Sequence, residues 1–110
     1  MNKRLCELFE KRQILLKNLQ NLDVSEFSKK RSLALYFGVD TKGFYTLVCV
    51  RDAKSRLLLK EALKIDEICQ KCEVKFNTTI KKRVLFYNSQ ICSKSLEILN
   101  KNGWRCYDFV

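Results

Sequence analysis

Two short stretches hold the side-chain types that metal-dependent phosphodiester chemistry needs. Asp40 stands in Asp40-Thr-Lys-Gly43, and Asp52 and Lys54 stand in Val50-Arg-Asp-Ala-Lys54. Two carboxylates that converge on one point can hold Mg2+ or Mn2+ through oxygen and activate a bound water. A second reading needs no chemistry. Asp52 would then cap a helix starting just after it, Asp40 would be a turn residue, and Lys54 would be solvated. His is absent from the chain. That removes the usual general base and the Ser-His and Cys-His nucleophile systems. Catalysis here would have to run on carboxylates, Lys, Cys or an oxygen-bound metal.

Cys69-Gln-Lys-Cys72 is a Cys-x-x-Cys. Zinc wants two further ligands close by, which Cys92 and Cys106 would supply only if the fold gathered them. A redox pair sits at a helix N-terminus, where the dipole lowers the thiol pKa. These two fall at the C-terminal end of a predicted helix, on its apolar stripe. Reduced, metal-free core thiols are the expectation. Six Cys with no small-loop disulfide framework suit a reducing compartment, so the expected location is cytoplasmic.

The net charge is +10, from 22 Lys and Arg against 12 Asp and Glu. A cation of this density attracts polyanions, and nucleic acid, DNA or RNA, is the commonest in the cytoplasm. The candidate phosphate contacts are Lys29, Lys30 and Arg31, then Arg56 and Lys60, then Lys81, Lys82 and Arg83. A charge that serves only solubility is the competing account.

These residues must be positioned by regular elements, since Pro is absent and Gly numbers 3, which leaves little for long loops. Leu5, Leu8, Phe9, Leu15, Leu16, Leu19 and Leu22 predict one long N-terminal helix over 3–22, followed by a capping box at Asp23-Val-Ser-Glu26. SLALYFGV (32–39) and FYTLVCV (44–50) predict an antiparallel hairpin. A helix over 53–72 follows, with Glu61 facing Lys64 and Glu67 facing Lys71. Residues 73–82 read as an edge strand or a connection. VLFY (84–87) is a strand, Asn88-Ser89 caps a helix to about Lys101, and Asn102-Gly103 ends it. WRCYDF (104–109) closes the chain. The strands joined through helices should be parallel. The expected fold is a single α/β domain with a mixed sheet, an N-terminal antiparallel hairpin plus parallel strands, and helices on both faces. Residues 1–31 would be a helical segment and 32–110 the sheet-containing core. No run approaches the ~18 apolar residues of a membrane helix, and no signal-peptide pattern follows the opening Met-Asn-Lys-Arg.

A helix, a hairpin bearing an Asp, an Asp-x-Lys after the next strand, then helix–strand–helix–strand: this order resembles the restriction-endonuclease-like nucleases of the PD-(D/E)XK type. The resemblance implies that Asp40 and Asp52 hold a divalent cation, Mg2+ or Mn2+. It implies that Lys54 orients or activates the attacking water and that Glu7 or Glu10 is an auxiliary acid. Asp52 stands where Glu is commoner. A hairpin turning just after Asp40 sets the two acids at opposite ends, unless the first strand runs past Asp40 or a bulge shifts the register. The alternative function is non-catalytic: the Leu-rich first helix would be a surface for a homodimer or protein partner. What separates the two is whether Leu5, Leu8, Leu15 and Leu19 have enough of the domain's own sheet to pack against.

Overall fold

The hairpin runs are apolar, and the second is rich in aromatic and β-branched residues, side chains that pack well on a pleated surface. In a computed structural model describing residues 3–12, 14–26 and 32–109, those runs are β2 (Leu33–Asp40) and β3 (Tyr45–Arg51). They pair antiparallel, with Leu33 opposite Arg51 and Val39 opposite Tyr45. β3 continues in parallel to β4 (Lys82–Tyr87), and β4 in parallel to β5 (Trp104–Asp108). The crossovers are α2 (Leu59–Phe76) and α3 (Ser93–Lys101).

The first correction concerns the N-terminus. The long helix is not there: α1 spans Lys3–Lys11, and Leu16–Leu22 is β1, paired antiparallel to β2. The sheet therefore begins at Leu16, not after residue 31. It has five strands in the order β1-β2-β3-β4-β5. The helical spacing of Leu16, Leu19 and Leu22 has a strand explanation. The register shifts between Lys17 and Gln20, and Asn18 lies at φ 53°. A β-bulge inserts one residue, so Leu16 and Leu19 reach the same face although they are three apart. Leu22 then falls on the other face. Gly38 belongs to this device. A Cβ there would stand 3.1 Å from the Lys17 carbonyl oxygen and 3.3 Å from the Leu16 Cβ.

Alternation along each strand splits the core in two. Leu33, Leu35, Phe37, Leu47, Cys49 and Leu85 face α2 and α3, where Ala62, Ile65, Cys69, Cys72 and Leu99 complete the packing. Fully burying a leucine such as Leu35, Leu47 or Leu85 is worth about 1.5–3 kcal/mol. On the reverse face Val48, Val84, Phe86 and Phe109 pack with Phe9 of α1, whose ring centroid lies 6.2 Å from that of Phe86. At 1.5 Å per residue, the nine residues of α1 reach only about 14 Å, less than the width of the sheet. Leu8, Phe9 and Leu19 are used by this face, which takes them away from a partner-binding stripe. The Leu5 side chain lies outside the described residues.

The later helices start and stop differently from the sequence expectation. α2 begins at Leu59, not Ala53, and runs through Phe76 to a left-handed Asn77 at φ 49°. α3 begins at Ser93, capped by the Cys92 sulfur accepting from the Ser95 N–H, rather than by Asn88-Ser89. Its end is as read, with Gly103 at φ 87°, a conformation glycine adopts without cost. Among the described residues no helix is long and apolar enough to cross a membrane.

Candidate nucleic-acid interface

The hairpin register decides the fate of the two acids. Asp52 follows Arg51, its N–H bonds to the Ser32 carbonyl, and Arg51 pairs with Leu33. Asp40 lies at the far end, where its N–H bonds to Phe44 beside the turn. At ~3.3 Å per residue the two stand roughly 25 Å apart along the strands. A shared Mg2+ needs oxygens at about 2.0–2.1 Å, so Asp40 and Asp52 do not form one metal site.

Each acid has a different employment. One Asp40 oxygen accepts the N–H groups of Lys42 (2.9 Å) and Phe44 (2.8 Å), and the other meets the Lys82 ammonium at 2.5 Å. The Lys82 contact, then those backbone N–H groups, hold its carboxyl below the ordinary value of 3.8. Asp52 accepts from the Asn88 amide at 2.7 Å, while the Asn88 carbonyl oxygen receives the Ala53 N–H at 3.0 Å. Asn88 thus ties the β3–α2 connection to the end of β4, and Asp52 does not cap α2. Lys54 is exposed in the bend beyond β3. Glu7 and Glu10 are exposed on α1.

An acid-x-Lys pair acts together when both side chains leave one face of an extended strand. On β3 that spacing belongs to Cys49 and Arg51, with Leu35 and Leu33 opposite them on β2. Cross-strand neighbours lie close enough to share a ligand, yet none of the four is an acid. Cys49 is fully buried, and burial first, then the Glu61 charge, pushes its thiol up to about 12. Arg51 is 1% exposed. Its guanidinium pairs with Glu61 of α2 and donates to the Ser55 carbonyl (2.9 Å), the Ser89 hydroxyl (2.8 Å) and the Ser55 hydroxyl (3.1 Å). The residues present do not fit a two-acid cation site. Among the described residues no cluster of three or more His, Cys, Asp or Glu suits a metal. Glu61 turns inward to Arg51, and Glu67 pairs with Lys71 at 3.4 Å.

The fold is similar to that of solved structures of EndoMS and of a repair endonuclease. EndoMS in its apo form shares 14% identity over 100% of this chain and 47% of its own, with a TM-score of 0.59. A repair endonuclease from Pyrococcus abyssi shares 12% over 97% and 45%, with a TM-score of 0.57. EndoMS in a dsDNA complex shares 14% over 96% and 42%, with a TM-score of 0.54. At such identities the likeness is one of fold. The chain spans less than half the length of these structures. No family model and no curated protein sequence matches it.

The other end of the sheet holds the cations. A cavity of about 430 Å³ opens where β4 and β5 begin, on the face shared with α1. Arg12, Lys81, Lys82, Arg83 and Arg105 line it with Asp40 as the one carboxylate. Lys81 and Lys82 are exposed at the entry to β4, and Arg105 at the next position but one along the neighbouring strand end. Of the predicted triplet, Lys82 is paired with Asp40, and Arg83 is turned into the fold: it pairs with Asp66 at 3.3 Å and Glu73 at 3.4 Å and donates to the Asn102 carbonyl at 3.1 Å. Asp66 also receives the buried Trp104 indole N–H at 2.9 Å, so Arg83 fastens α2 to β4 and β5. Arg56 and Lys60 lie elsewhere, in an open recess with Ser55, Leu58 and Lys64 at the start of α2. Lys29, Lys30 and Arg31 fall outside the described residues. Arg12 and Arg105 were not anticipated. Arg12 follows Lys11 near the start of the chain and Arg105 stands between Trp104 and Cys106 near its end, and only the docking of α1 beside β5 brings them together. The Cys-x-x-Cys is core, as Cys69 and Cys72 are fully buried.

Proposed function

We propose that this chain is a DNA-binding domain on a restriction-endonuclease-like fold that holds DNA without cutting it. The observation that carries the reading is the basic cavity at the start of β4 and β5, where Arg12, Lys81, Lys82 and Arg105 offer cations to phosphate. Phosphate contacts supply most of non-specific affinity and make it salt-dependent. The fold likeness to EndoMS in a dsDNA complex favours DNA over RNA. The Leu33, Leu35, Cys49 and Arg51 set supports the absence of cleavage, because it lacks the carboxylate pair a hydrolytic Mg2+ would need. A homodimer or protein partner through the N-terminal helix is not favoured, because Leu8, Phe9 and Leu19 serve the chain's own sheet.

Fluorescence anisotropy with labelled DNA at a series of salt concentrations tests binding, and incubation with Mg2+ or Mn2+ tests cleavage. Lys81→Gln and Arg105→Gln should each weaken binding and lower the slope of log affinity against log salt by about one. Unchanged slopes in both variants would disprove the assignment of the cavity. Metal-dependent cleavage abolished by Asp52→Asn at equal stability would disprove the non-cleaving reading.

A further inference from the structure

The cavity is not lined by cations alone. Ile14, Leu15, Leu16, Val84 and Tyr107 line it as well. Leu15 is 70% exposed, although solvent contact gives an apolar side chain nothing. Arg12 lies over the Tyr107 ring at 4.7 Å from the centroid and reaches Asp108 at 3.7 Å. The Arg12 side chain is still about one-third exposed, at 34%, and a guanidinium can stack on a base as well as on a ring.

A duplex presents phosphates outward and keeps its bases stacked inside, so it would engage the cations and leave these apolar side chains unused. An unpaired nucleotide has both parts: a phosphate for Lys81, Lys82 and Arg105, and a flat apolar base for Leu15 and the Arg12 plane. Cations combined with flat surfaces are the usual means of holding single strands. We propose that the cavity is a single-nucleotide site, taking one unpaired nucleotide of a DNA strand with its base against Leu15 and Arg12 and its phosphate on the lysines and Arg105. This rests on the reading of the cavity as a phosphate site. Asp40 keeps Lys82 at the rim through their ion pair.

The test compares three labelled probes of equal length by anisotropy at low salt: an oligothymidylate, an oligomer of abasic sugar-phosphate units, and a blunt duplex. The thymidylate strand should bind about tenfold tighter than both others, the scale on which base stacking acts. Leu15→Asn should bring its affinity down toward that of the abasic strand. The unfolding midpoint of Leu15→Asn should hold, since the side chain is exposed. Equal affinity for the thymidylate and abasic strands, or tighter binding of the duplex, overturns the single-nucleotide site and leaves the phosphate reading standing. No binding of any probe at low salt overturns both.

Discussion

Replacing Arg51 with Met removes a buried cation of similar length and leaves its partners in place. Arg51 is 1% exposed, and the Glu61 side chain that faces it is 13% exposed. The loss takes the guanidinium away from the Glu61 carboxylate and leaves the Ser55 carbonyl and the Ser89 hydroxyl without that donor. Removing one member of a buried ion pair costs about 3–5 kcal/mol, a large fraction of the ~5–15 kcal/mol that holds a domain together. Adding Glu61→Gln removes the carboxylate that faced the guanidinium, so the double variant should recover part of that cost. Arg51→Lys keeps the charge but cannot span Glu61, Ser55 and Ser89 with one ammonium. It should cost about 1–2 kcal/mol, the scale of the hydrogen bonds forfeited. Urea unfolding followed by far-UV circular dichroism measures all four proteins. The reasoning fails if Arg51→Met costs less than about 1 kcal/mol, or if the double variant is no more stable than the single. A DNA affinity that drops in Arg51→Lys at unchanged stability would instead make Arg51 a ligand-facing cation.

Two other side chains give independent checks. Because the Asp40 carboxyl is held below its ordinary value of 3.8, its contribution is present above that pH and is lost as pH falls toward and through the lower folded value. Asp40→Asn should therefore flatten the acid limb of a stability–pH curve, and an unchanged limb would dismiss the Lys82 and backbone contacts as its cause. Among the described cysteines, Cys92 should alkylate first. Its hydrogen bonds with the Ser95 hydroxyl and N–H lower the thiol pKa, whereas burial pushes Cys49 and Cys69 to about 12 and Cys106 to about 11. Mass-mapped iodoacetamide labelling of the native protein reads the order, and earlier modification of Cys49 or Cys69 would contradict it.

The sequence by itself determined what local patterning can carry. The apolar runs at 32–39 and 84–87 have strand length and read as buried strands, which they are. The stripe through Ala62, Ile65, Cys69 and Cys72 required a helix packed on them, and Asn102-Gly103 marked the turn into β5. β1 escaped because a bulge at Asn18 gave a strand the three-residue spacing of a helix, and a bulge is set by pairing with Gly38 and its neighbours, not by the strand's own residues. Asp40 and Asp52 invited a shared cation site by residue type alone, while the turn signal of Asp40-Thr-Lys-Gly43 already set them apart, as the register bears out. A hairpin turning beyond Asp40 sends them to opposite ends. The burial of Arg51 needed Glu61 and Ser89, which lie 10 and 38 residues away. The cationic cavity needed α1, β4 and β5 to meet. Both depend on long-range contacts, and no window of the sequence is wide enough to contain them.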